Sequence, residues 1–174
     1  MNSVITYLYN LILALWVGGI AIFSFLVTPI IFKSFSKAQA GHIVGYLFPG
    51  YFKYNLIISI AAFIVFFFVK AAPVRLVYFI TLAIILSAIA INLSHIYIVH
   101  PKVKAVKEKI YSQTDGLKNN GQSSINNDTD NKAITNERAL KKQFNTLHKL
   151  SVLMNVAVLI FGLILIGLSS YIKT

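Results

Sequence analysis

Residues Lys141–Thr174 read KKQFNTLHKLSVLMNVAVLIFGLILIGLSSYIKT, and this stretch decides the fold. Leu150–Ile172 contains 23 residues without charge or proline. At ~1.5 Å per residue such a run crosses the ~30 Å hydrocarbon core of a bilayer as one helix. At its start Phe144, His148, Ser151 and Asn155 recur at i, i+4, i+7 and i+11. A rotation of about 100° per residue places the four on one helical face. The segment is therefore a membrane span with a polar stripe at one end and hydrocarbon at the other.

Three further uncharged runs lie upstream. Residues 1–32 carry no charge, so a first span falls within Val4–Phe32. With no basic leader and no small-residue cleavage site, it reads as a retained span and not a signal peptide. Tyr7 and Tyr9 are placed to anchor its outer end in the headgroup layer. Ala14 and Gly18 form a small-x-x-x-small pair that admits a neighbouring backbone, and Thr28-Pro29 predicts a kink. A second span covers about 52–72, although only 16 uncharged residues separate Lys53 from Lys70. Both lysines must snorkel to close that gap. The third span covers about 76–99 and the fourth about 148–172. Between spans one and two, Ala40, Val44, Leu47 and Phe48 recur at helical spacing. They predict a short interfacial helix that stops before Pro49-Gly50. Beyond span three, Val103, Val106 and Ile110 make a modest amphipathic face. Residues 112–136 are polar and asparagine-rich, and are expected to form a disordered cytoplasmic loop. The fold class is thus an all-α membrane protein, a four-transmembrane-helix bundle in a single domain over 1–174.

Composition agrees. Of the 174 residues 57% are hydrophobic, and the net charge is +11 with only five acidic residues. Thirteen of the 16 Lys and Arg lie in 33–53 and 100–149, on one side of a four-span topology; Lys70, Arg75 and Lys173 lie on the other. The positive-inside rule puts both termini outside, in a membrane expected to be the bacterial cytoplasmic one. Because the lysines sit between apolar runs, their expected partner is anionic lipid and not nucleic acid. A homo-oligomer or a membrane-protein partner is also open. The chain has no cysteine, which excludes disulfides, iron–sulfur clusters and thiolate metal sites.

This topology gathers the four histidines, His42, His95, His100 and His148, toward the cytoplasmic side. Asn92 and Asn155 stand at similar depth inside spans three and four, where a hydrogen bond between them is expected. The candidate pocket is lined by Asn92, His95, Phe144, His148, Ser151 and Asn155. Thr28 and Pro29 form its kinked wall, Phe48 and Pro49 its rim, and Trp16, Gly18 and Gly19 the packing beneath. The spans offer no carboxylate, which weighs against ion-coupled transport and against a Ser151/His148 hydrolase. No catalytic residue, metal site or cofactor is expected. The alternative is a redox bundle holding haem between His95 and His148, or a quinone-like ligand.

Several patterns occur in order: W-x-G-G at Trp16–Gly19, Pro29 with Phe32, Ala40-Gly41, and FPGYF at Phe48–Phe52. Asn92 with Pro101 follows, then F-x-x-L-H-x-x-S-x-x-x-N at Phe144–Asn155. Together they resemble the transmembrane protein 205-like family, also described as a domain of unknown function, DUF4149. The resemblance implies a four-span integral membrane protein and brings no established activity with it. Because the chain lacks cysteine, its orientation is open to direct labelling. A cysteine introduced at Ser123 is expected to resist impermeant thiol reagents in intact cells, and one at Thr174 to react; the reverse pattern would invert the topology.

Overall fold

The computed structural model describes residues 2–69, 75–120 and 127–171, with side chains described over 4–36, 39–69, 75–112 and 135–171. The described chain is helical and contains no strand. Helix α1 is Asn2–Ala21, followed by a π-helical segment, Ile22–Val27, and α2, Thr28–Ser34. Helix α3 is Lys37–Phe68 and α4 is Arg75–Ser94. A second π-helical segment, His95–Val99, precedes α5, His100–Asn120; α6 is Asn127–Ser169. Four helical stretches are long and apolar enough to cross a membrane: Val4–Ser34, Gln39–Phe68, Arg75–Ser112 and Thr135–Ser169. The chain is a multi-pass helical membrane protein. Of 112–136, the backbone of 112–120 and 127–136 is helical. Residues 121–126, and the side chains of 113–134, lie outside the described set.

The segment read as a short interfacial helix is helical, but it does not end at Pro49. It is the first part of α3, which runs unbroken for 32 residues with Pro49 inside it. Its start is fixed by Ser36. The Ser36 hydroxyl accepts from the Gln39 backbone N–H at 3.4 Å, and Gln39 Oε1 accepts from the Ser36 N–H at 3.2 Å. This reciprocal capping box satisfies two of the donors that a helix start leaves without partners. An interior proline costs a helix about 3 kcal/mol. Packing on either side offsets that cost: the Phe48 ring lies 5.7 Å from Phe23 and 5.5 Å from Phe52, and Tyr51 stacks on Phe23 at 4.1 Å.

The chain forms two compact units, residues 1–96 with 154–174, and residues 97–153. In the first, each helix contributes a stripe at heptad-like spacing. These are Tyr9, Leu13, Trp16 and Ile20 on α1; Phe52, Asn55, Ser59, Ala62 and Phe66 on α3; and Thr81, Ile85, Ala88, Asn92 and His95 from α4 onward. Asn155, Val158, Gly162 and Leu165 form the seam of α6, with Val158 and Leu165 buried and Asn155 partly so. Helices α1 and α3 run antiparallel, as the Tyr9–Phe66 and Phe23–Tyr51 ring contacts require. Helix α4 returns along α3 through Phe66–Tyr78 and Phe52–His95. A smaller cluster of Ile31, Ala40 and Val44 joins α2 to the start of α3. The second unit comprises α5 and the first part of α6. There Val106 is buried, Val103, Ile110, Leu140, Phe144 and Leu147 are half-buried, and the Lys104–Glu108 and Lys141–Glu137 pairs lie one turn apart along their helices.

Two expectations about small and aromatic residues need correction. Tyr9 does not face the headgroup layer; it is wholly buried against Phe66. The close approach to α1 is not at Gly18, where an added Cβ would meet nothing within 4 Å. It is at Gly19, where a Cβ would fall 2.5 Å from the ring of Tyr54. That ring crosses the bare glycine so that its hydroxyl can donate to the Leu15 carbonyl at 2.7 Å. Gly19→Ala is therefore expected to displace Tyr54 and cost about 1 kcal/mol through the lost bond. Gly18→Ala is expected to be neutral or to add up to about 1 kcal/mol through helix propensity. Thermal melts followed by circular dichroism in detergent separate the two outcomes.

Candidate functional site

The site begins with a proline. Pro29 has no N–H to offer the carbonyl one turn earlier, and hydrocarbon provides no substitute donor. The helix adjusts by widening to π geometry over Ile22–Val27. The Phe23 carbonyl then receives both the Thr28 backbone N–H and, at 2.9 Å, the Thr28 hydroxyl. The carbonyl that the Thr28 hydroxyl engages is therefore one that already accepts a backbone N–H, and not the one that Pro29 leaves without a donor. The wider turn has a second effect: adjacent residues both reach neighbouring helices. Phe23 stacks on Tyr51 of α3, and Ser24 meets Asn155 of α6.

Asn155 is the centre of this arrangement. Its Nδ2 donates to Ser24 Oγ at 2.9 Å, and its Oδ1 accepts from the Tyr51 hydroxyl at 2.6 Å. The Ser24 and Asn55 side chains also lie within hydrogen-bonding reach of that hydroxyl. One amide therefore ties spans one, two and four together. Interhelical hydrogen bonds in a membrane contribute roughly 0.6–2 kcal/mol each. The expected partner of Asn155 was Asn92, and that bond is not made. Both ends of the Asn155 amide are held instead, by Tyr51 of α3 and by Ser24 of the first π-helical segment.

Asn92 instead faces α3. The antiparallel contact of Phe52 with His95, rings 4.2 Å apart, sets the register. Asn55 lies three residues beyond Phe52 and Asn92 three before His95, so both stand at the next level on facing stripes. They are 1% and 2% exposed. Among the described residues Asn55 Oδ1 and Asn92 Nδ2 have no hydrogen-bond partner; nor do Tyr9 Oη, Trp16 Nε1 and Thr81 Oγ1 elsewhere in the interior. A buried polar atom without a partner costs about 1–3 kcal/mol. One acceptor and one donor, both desolvated and at the same level, are what a small hydrogen-bonding group would satisfy.

The remaining sequence candidates are distributed as follows. Trp16 is a wholly buried core residue of α1. Phe48 and Pro49 are half-buried, and Pro29 is exposed. Gly19 lines an apolar groove of about 400 Å³ with Ile22, Phe23, Val27, Leu47, Gly50, Tyr51 and Tyr54. Phe144, His148 and Ser151 belong to the second unit. There the His148 ring is exposed and lies parallel to that of Phe144, centroids 6.3 Å apart. A bis-histidine haem site requires both rings inside the bundle, and His148 does not meet that requirement. Among the described residues no group of three His, Cys, Asp or Glu is placed to hold a metal ion. Sequence reasoning missed Ser24, Tyr51 and Asn55. Asn55 was legible, because an asparagine in an apolar run is costly unless it is used. Ser24 was not, since its orientation follows from the π-helical segment.

The fold and interior define a multi-pass helical membrane protein with a hydrogen-bonded polar cluster inside its spans. A family model described as a domain of unknown function, DUF4149, matches residues 11–112, more than half of the chain, and the chain belongs to that family. No curated protein and no solved structure matches it. The matched region holds Ser24, Tyr51, Asn55, Asn92 and His95, whereas Asn155 lies outside it. Tyr51→Phe and Asn155→Ala are each expected to destabilise the protein, with a coupling energy of about 0.6–2 kcal/mol in a double-mutant cycle. Asn92→Ala combined with Asn155→Ala is expected to be additive; coupling there would show that the two amides do communicate.

Proposed function

We propose that this chain is a non-enzymatic membrane binding or transport-accessory module. Its polar interior, in the half of the bundle expected to face the cytoplasm, receives a small hydrogen-bonding ligand or part of one. The observation that carries this reading is the buried, unpartnered pair Asn55 Oδ1 and Asn92 Nδ2. They lie one turn from the buried His95–Phe52 stack and next to the Tyr51–Asn155–Ser24 network. A desolvated donor and acceptor contribute most when a ligand offers the complement of both, because each is otherwise a standing cost. In the wider setting we read the protein as a transmembrane protein 205-like member of its family. It sits in a bacterial cytoplasmic membrane with both termini outside and anionic lipid against its basic connectors, as a homo-oligomer or with a membrane-protein partner.

A second reading, a redox bundle holding haem or a quinone-like ligand, draws on the deep burial of His95. A Soret band in purified protein would favour it, and a colourless preparation removes its haem form.

The test is mass spectrometry of small molecules released from purified protein. A compound is expected to accompany the wild type and to be lost from the Asn55→Leu/Asn92→Leu variant. If the wild type carries nothing and the double variant is simply more stable, the two amides are a packing defect and the proposal fails.

A further inference from the structure

The interior site has a bonding pattern that narrows its ligand. Asn55 on α3 and Asn92 on α4 stand at one level of the first unit, both buried. On one side of that level the Phe52 and His95 rings stack at 4.2 Å. On the other, one turn along each helix, stand Ser59 and Ala88, and the Ser59 hydroxyl donates to the Leu56 carbonyl at 2.9 Å. Between these two boundaries lie Asn55 Oδ1, an acceptor, and Asn92 Nδ2, a donor, neither with a partner among the described residues.

Charge restricts the ligand first. The buried polar side chains are Asn55, Ser59, Thr81, Asn92 and His95, and no Asp, Glu, Lys or Arg is buried among the described residues. An ionised ligand group would enter without a counter-charge, at the desolvation cost that a buried ion carries. Valence then selects among the neutral groups. A carbonyl, an ether or the oxidised head of a quinone accepts only, so it satisfies Asn92 Nδ2 and leaves Asn55 Oδ1 facing another lone pair. A hydroxyl both donates and accepts through a single atom. An alkyl amine would do the same, but near neutral pH it is an ammonium and donates only. One hydroxyl oxygen between the facing stripes removes both unmet bonds, where a carbonyl removes one.

We infer that the ligand of the interior site is a neutral alcohol, whose hydroxyl donates to Asn55 Oδ1 and accepts from Asn92 Nδ2. This rests on the binding reading proposed above and gives it a chemical class. The hydroxyl is common to lipid-borne alcohols and to small water-borne ones, and chain length separates the two sources.

Competition against tritiated dodecan-1-ol, on the purified full chain in a detergent without hydroxyl groups, tests it. Unlabelled dodecan-1-ol is expected to compete about tenfold better than 1-methoxydodecane, the effect of one hydrogen bond to an acceptor otherwise left unpaired. Dodecanoate is expected to compete least. The two amides have different signatures. Asn55→Leu erases the preference for alcohol over ether, because the acceptor that tells them apart is gone, whereas Asn92→Leu weakens both alike. Butan-1-ol competing at the same free concentration as dodecan-1-ol marks a water-borne alcohol, and competition by dodecan-1-ol alone a lipid-borne one; both outcomes keep the hydroxyl. On the wild type, with no variant required to fold, an ether or dodecanamide that matches the alcohol overturns the assignment. A preference that survives Asn55→Leu overturns it too. A wild type that releases some other compound but binds no alcohol overturns the alcohol and leaves the binding reading standing. One that releases nothing and binds none of the series overturns both.

Discussion

The Phe23 carbonyl and the two donors that Thr28 turns toward it hold together much of what is distinctive here. In a bilayer every backbone polar group must find its partner within the protein. Proline withdraws one donor, and a helix can respond by kinking or by changing its winding. This chain changes its winding, and does so twice. Ile22–Val27 is π-helical ahead of Thr28-Pro29, and His95–Val99 is π-helical ahead of His100-Pro101. Two polar residues of the first unit, Ser24, which meets Asn155, and His95, which stacks on Phe52, lie within or at the start of these segments. The device that accommodates each proline thus also sets where Ser24 and His95 point. Pro49 is handled differently, by ring packing on both sides within an α-helix.

The second dependence is register. Once Ser36 and Gln39 start α3 immediately after α2, the antiparallel pairing of α1 with α3 leaves no freedom for a separate interfacial helix. Every side chain between Gly41 and Phe68 then has its level set by the contacts at Tyr51, Tyr54 and Phe66. Tyr51 reaches Asn155, Asn55 faces α4, and Lys53 stands beside span one. A later start, past Pro49-Gly50, would have moved Lys53 to the membrane boundary and made it an ordinary snorkelling residue.

How much of this was legible follows from what each signal encodes. The four spans were readable because length and charge are properties of a run, and a run needs no knowledge of its neighbours. Asn92, His95 and Asn155 were readable as interior polar residues for the same reason. Their partners were not. Matching Asn92 to Asn155 by depth along two helices ignores which helices touch, and α6 meets α1 at Val17–Gly162 as well as at Ser24–Asn155. A tyrosine near a span end suits the membrane interface, whereas the Tyr51 hydroxyl has its polar partner inside the bundle. The capping box, S-x-x-Q at Ser36–Gln39, was present in the sequence and would have extended span two by four turns had it been weighed against Pro49.

The interior therefore holds two kinds of polar residue that composition alone does not separate. Asn155 is a fastener: its amide oxygen accepts from Tyr51 and its amide nitrogen donates to Ser24, so that it links three spans. Asn55 and Asn92 are more deeply buried than Asn155, yet each keeps an amide atom without a partner among the described residues. A stability argument explains the first but not the second, because leucine at either position would remove the cost and preserve an apolar stripe. Trp16 belongs with the second kind only formally. Its indole N–H is also without a partner among the described residues, but its large ring is wholly buried in the core cluster with Phe66, Ile85 and Ala88, and packing alone accounts for it. Asn55 and Asn92 fill no comparable volume. Their unpartnered amide atoms, and not their size, set these two positions apart from the packed core.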